Sequence, residues 1–115
     1  MAEQIPGNRE ITVGSNDALN VGGDRTLRIG RNSSSTVQAN QTVTVQKDLT
    51  VSVGKHMVVK AHDSLQLVCG DASIVMKKDG TIIIKGKDIT IQGSGKVNVK
   101  ASGDVVIKGS KVSQN

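Results

Sequence analysis

An eight-residue beat constrains this chain more than any other feature. Leu19-Asn20-Val21-Gly22 is followed by Leu27-Arg28-Ile29-Gly30, and the second unit begins eight residues after the first. An α-helix returns its apolar residues at three and four. A two-sided strand returns them at two and then stops at a turn. A return at eight fits a short strand plus a corner, repeated. With position a set at Ile11, thirteen octads run to Gln114 without an insertion.

Position a is apolar in twelve of the thirteen octads, the exception being Ser35. Position c is apolar from Val13 to Val53 and continues as Ala61 and Cys69, whereas position b is polar from Thr12 through Lys60. Residues two apart on a strand share a face, so a and c make a dry stripe and b faces water. The expected interior comprises Ile11, Val13, Leu19, Val21, Leu27, Ile29, Val43, Val45, Val51, Val53, Leu65, Leu67, Ile83, Ile91 and Val99. Glycines recur at d, at Gly14, Gly22, Gly30, Gly54, Gly70 and Gly86, where a positive φ would help the chain turn its corner. Toward the C-terminus the stripe slides two residues back, with Ile89, Val97 and Val105 apolar at g while c weakens to Gly93 and Gly109. Two octads are ambiguous, because Ile74-Val75-Met76 and Ile82-Ile83-Ile84 are apolar on both faces. Asp79-Gly80 suits the type I′ turn of a hairpin there, but the unchanged octad phase favours a corner.

Repeated strands and corners describe an all-β solenoid. One 115-residue chain stacking on itself in three-sided coils would bury little area and leave both ends open. Three identical chains wound about one axis use the same octads as layers of a single prism. At ~4.7 Å per layer, thirteen layers reach about 60 Å. The chain contains no Phe, Tyr or Trp. A narrow axis filled by three copies of Val, Ile and Leu has no need of them. The expected fold is an intertwined homotrimeric, triangular, triple-stranded β-helix occupying residues 1–115 as a single needle domain.

Fifteen basic and ten acidic residues leave a net charge of +5. Residues 58–115 carry most of the excess, with nine basic and five acidic side chains. Only Lys77 and Lys78 are adjacent cations, and no aromatic is present to stack on a base, so nucleic acid is not expected as a partner. The competing class is a binding module whose basic surface holds an anionic polymer or lipopolysaccharide.

His56 and His62 fall at different octad positions, and Cys69 stands alone at c as a small core residue, so neither a metal nor a cofactor is assigned. Gly93-Ser94-Gly95-Lys96 resembles part of a phosphate loop but lacks its spacing and its helix. No nucleophile, base and orienting acid assemble into a catalytic set, and an enzyme is not expected. The first thirty residues hold no apolar signal core, and no run reaches the ~18 apolar residues of a membrane-spanning helix. Synthesis in the cytoplasm is the expectation, as is origin from a longer protein, because the repeat is already running at both ends.

The units "LNVGG", "LRIGR", "VTVQK" and "VSVGK" resemble the Val-x-Val-Gly octads of VgrG spike proteins of type VI secretion systems and of the related central spikes of contractile phage tails. The ending "DGTIIIKG…GSGKV…ASGDVVIKGSKV" resembles the C-terminal end of the VgrG β-helix more specifically. The resemblance implies a homotrimeric needle driven through a target cell envelope, touching its membranes in passing. It implies a tube of Hcp rings behind the spike, joined through base domains that have no counterpart in this sequence. It also implies secretion by the type VI system, and a blunt C-terminal platform for a PAAR-repeat tip protein or an effector. Here Val105, Ile107, Lys108, Gly109, Lys111 and Val112 are the expected docking residues. The His-x-His motif of phage spikes that end in a metal-binding apex is absent.

Overall fold

The computed structural model describes residues 2–115. The chain divides into two units, one ending at Leu49 and one covering Thr50–Asn115. Within the first, the backbone bends at residues 6–7, 14–15, 22–23, 30–31, 38–39 and 46–47. The second continues the beat with bends at 54–55 and 62–63. Each of these bends falls at positions d and e, where the sequence places its corners. The straight runs between them alternate as a strand does. Position c is 46–48% exposed at Val13, Val21, Ile29, Val37, Val45 and Val53, and position a is 62–70% exposed at Ile11, Leu19, Leu27, Val43 and Val51. Such narrow ranges mean that each octad repeats the local geometry of the one before.

The corners do not work as expected. Among the described residues, only Gly70 and Gly80 have positive φ, so Gly14, Gly22, Gly30 and Gly54 turn in ordinary backbone space. Gln38, Gln46 and His62 occupy the same position d and bend equally well.

A second correction concerns residues 64–85. In place of corners, the chain folds into a three-stranded antiparallel meander, β1 (Ser64–Cys69), β2 (Ala72–Lys77) and β3 (Ile82–Lys85), ordered β1-β2-β3. Cys69 pairs with Ala72, leaving Gly70-Asp71 as a two-residue loop. Gly70 takes φ +55° at the first central position and Asp71 has a negative φ, the pattern of a type II′ turn. The second hairpin is not type I′, because Asp79 lacks the positive φ that such a turn demands. Gly80 N–H donates to Lys77 O at 3.0 Å, Gly80 has φ +92°, and Lys77 N–H donates to Thr81 O at 2.9 Å. This is a three-residue loop, a type I turn followed by a left-handed glycine. Asp79 Oδ1 accepts from Thr81 N–H at 3.0 Å. That hydrogen bond, followed by one with the Thr81 side chain, holds the exposed carboxyl below its ordinary pKa.

Beyond the meander the strict beat is lost. Bends fall at 87–88, 94–95, 102–103 and 109–110, so successive steps are 7, 8 and 7 residues (94 − 87, 102 − 94, 109 − 102).

Among the described residues no side chain is buried. Among the described residues, backbone–backbone hydrogen bonds are confined to the segment from Asp63 to Lys85. The accessible surface is 12993 Å². A folded monomer of 12.0 kDa would expose about 6,000 Å² and its unfolded chain about 17,400 Å². Folded proteins make about one internal hydrogen bond per residue and rarely leave backbone groups unpaired out of water. A single copy therefore supplies neither a core nor a ladder outside the meander. Both must come from other copies.

A candidate interface for self-association

The interface is built from the alternation. Along the octads, Val13, Val21, Val45 and Val53 share a side with Ile11, Leu19, Val43 and Val51 by strand periodicity. Leu27 and Ile29 do the same. All remain exposed in one chain, so the stripe is a surface awaiting cover.

In the meander the cross-strand register decides the faces. Leu65 pairs with Met76 and Met76 with Ile82, while Leu67 pairs with Ile74 and Ile74 with Ile84. With Cys69 and Ala72 these residues form one face that carries no polar side chain. The other face holds Ser64, Gln66, Val68, Ser73, Val75, Lys77, Ile83 and Lys85. Ile83 thus lies opposite Leu65 and Leu67, and the common interior expected for all three does not hold. The octad count placed Ile83 at position a, but the two-residue turn at Gly70-Asp71 pairs Cys69 with Ala72 and moves the apolar face from odd to even residues. The three-residue loop at Lys78-Asp79-Gly80, pairing Met76 with Ile82, keeps that shifted phase. Ser73 and Val75 on β2 and Leu65 on β1 are half-buried, the first two on one face of the sheet and Leu65 on the other.

Two grooves flank this sheet. One, of about 220 Å³, runs between Val59-Lys60-Ala61 and Leu65, Met76 and Lys78. Lys78 N–H donates across it to Asp63 O at 3.0 Å. The other, of about 430 Å³, lies between Leu67, Cys69, Ile74 and Ile84 on the sheet and Ile89-Thr90 beyond it. The sequence signal for this meander was present in Gly70-Asp71 between two alternating runs, and in Asp79-Gly80.

The C-terminal docking residues straddle the last bend. Val105, Ile107 and Lys108 precede it, Gly109 lies in it, and Lys111 and Val112 follow. None is buried, and Val105, Ile107 and Val112 are among the exposed apolar side chains. Ile91 and Val99 are likewise exposed.

Elsewhere the chemistry is sparse. His62 Nδ1 donates to Asp63 Oδ1 at 2.7 Å with both side chains in water, a contact worth little. Among the described residues no three His, Cys, Asp or Glu side chains gather where a metal could sit. No helix among them is long and apolar enough to cross a membrane.

An octad chain with its apolar stripe, backbone groups and sheet face all left open is a structural protein that completes itself as a homotrimeric β-helix. More particularly, residues 1–76 match the family model of the bacteriophage T4 gp5 C-terminal trimerisation domain, and the chain belongs to that family. It is an all-β, intertwined trimer, the β-helical part of a gp5-like spike. No curated protein matches it.

Proposed function

We propose that this segment is the shaft of a cell-puncturing spike of the VgrG kind, carried by a type VI secretion system and made in the bacterial cytoplasm before export. The trimerisation-domain match over residues 1–76 is the observation that carries the reading. The VgrG-like run from Asp79-Gly80 to Val112 supports the secretion assignment over a phage tail. A wound trimer suits puncturing, because its chains cannot separate without unfolding. An Hcp tube would engage through base domains outside this sequence.

The C-terminal residues are the docking end in this reading. Three copies of Val105, Ile107 and Val112 would make a small apolar triangle rimmed by Lys108 and Lys111, suited to a three-fold or pseudo-three-fold partner. The partner is a PAAR-repeat tip protein or an effector. The test is capture of a purified PAAR-repeat protein by the trimer, with and without residues 105–115. The expected result is one tip per trimer, lost on truncation while the trimer persists. Full-affinity capture by the truncated trimer refutes the docking end. Binding that survives truncation but vanishes in high salt would favour a basic-surface module instead.

A further inference from the structure

The octads share a weakness. Exposure at position c stays at 46–48% from Val13 to Val53, so one octad is locally equivalent to the next. If one chain slips along its partners by eight residues, position a still meets a and position c still meets c. Repeats of this kind fix the face a residue presents but leave register weakly specified.

The meander is different in two respects. It does not repeat, and it is the only part of the described chain that forms its own backbone ladder. It can fold within one copy and present a finished surface before association. One face is uninterruptedly apolar, with Leu67 and Ile84 each 59% exposed and Ile82 63%. The other is mixed, with Ser64, Gln66, Ser73, Lys77 and Lys85 among Val68, Val75 and Ile83, and is the less apolar of the two.

We infer that the apolar face of the meander is a self-docking surface that takes the same face of two further copies and thereby sets the register of the three chains. The occupant follows from continuity. The trimerisation-domain match extends to residue 76, through all of β1 and β2 as far as Met76, so the axis relating the chains upstream relates their meanders too. The face itself carries no charged side chain for an acidic or basic partner to read, and Lys85 and Asp88 line only the 430 Å³ groove beside it. Side chains from a neighbouring copy fill that groove, between Leu67, Cys69, Ile74 and Ile84 on one side and Ile89 on the other. A tip protein can fail to bind without affecting this surface, which rests on the trimer alone.

Two measurements on the full chain test it. The native Cys69 reports the face, because it lies on the apolar side of β1 while Val68 lies on the other. A short bis-maleimide should join Cys69 between chains at least tenfold more efficiently than it joins a Cys69→Ser, Val68→Cys chain. Equal or reversed efficiencies overturn the docking face. For register, Cys69→Ser chains bearing either Val43→Cys or Val51→Cys are co-assembled and oxidised. Disulfides should join 43 to 43 and 51 to 51, with 43 to 51 rare. Adding Ile74→Asn and Ile84→Asn should raise the 43–51 product at least tenfold or abolish the trimer, and either outcome shows dependence on the face. A variant that stays trimeric with only the in-register disulfides overturns the inference.

Discussion

Replacing Val53 with Asp puts a carboxylate at position c in each of three chains. Val53 is 48% exposed in one copy, so about half of it remains for neighbouring copies to cover. Full burial of a valine stabilises by about 1.5–3 kcal/mol, so the lost cover costs about 1 kcal/mol per chain. The charge costs more. An aspartate forced into a dry axis escapes by taking a proton, and from an ordinary pKa near 3.9 this costs about 4 kcal/mol at pH 7. Three copies together lose roughly 15 kcal/mol, as much as the whole stability of a typical domain at about 5–15 kcal/mol. The variant should therefore not assemble at pH 7. Its pKa would be raised in the trimer, so its stability is greatest below pH ~4 and falls as the pH rises. Ser52→Asp, one residue away on the outer face, should change stability by less than about 0.5 kcal/mol. Sedimentation and thermal melting of both variants across pH give the answer. A Val53→Asp trimer that melts within a few degrees of the parent at pH 7 would refute an inward position c.

Gly70→Ala and Gly80→Ala force a side chain into φ +55° and +92°, costing about 1–2 kcal/mol each and speeding amide exchange in β2 about tenfold or more. Gly93→Ala places a Cβ 3.0 Å from Val97 Cγ2 and 3.1 Å from Lys96 O, whereas a Cβ at Gly95 meets nothing within 4 Å; the first should lower the melting temperature and the second should leave it unchanged. Because Asp79 is held below its ordinary pKa by the Thr81 N–H, its help to the second hairpin is present above that ordinary value and lost as the pH falls through the folded one. Amide exchange at Thr81, corrected for intrinsic rates, should lose protection at pH 2 relative to pH 6, and Asp79→Asn should flatten that difference.

The octad corners were legible because an apolar residue at a and c with a polar one at b leaves only one way to face a strand. Their glycines misled, since a glycine permits positive φ without requiring it, and Gln38 or His62 at the same place shows that ordinary space suffices. The meander was half legible. Asp79-Gly80 and the doubly apolar runs around it marked a hairpin, but the octad count hid it. From the bend at 62–63 to the bend at 87–88 is 25 residues (87 − 62), one more than three octads, so phase was nearly restored on the far side. Ile83 kept its position a in the count, but the two-residue turn at Gly70-Asp71 had already moved the apolar face from odd to even residues. Gly109 explains the late weakening of position c, because the last bend has moved onto it. What neighbouring chains contribute was legible only as a deficit, in the missing aromatics and the uncovered stripe.

The most direct test of the account is the mass of the 115-residue chain in solution, by light scattering at several concentrations. Three copies of 12.0 kDa, unchanged on dilution, is the result that a core and ladder supplied wholly by wound partners predicts. A monodisperse 12.0 kDa species with slowly exchanging amides in residues 11–61 would contradict it.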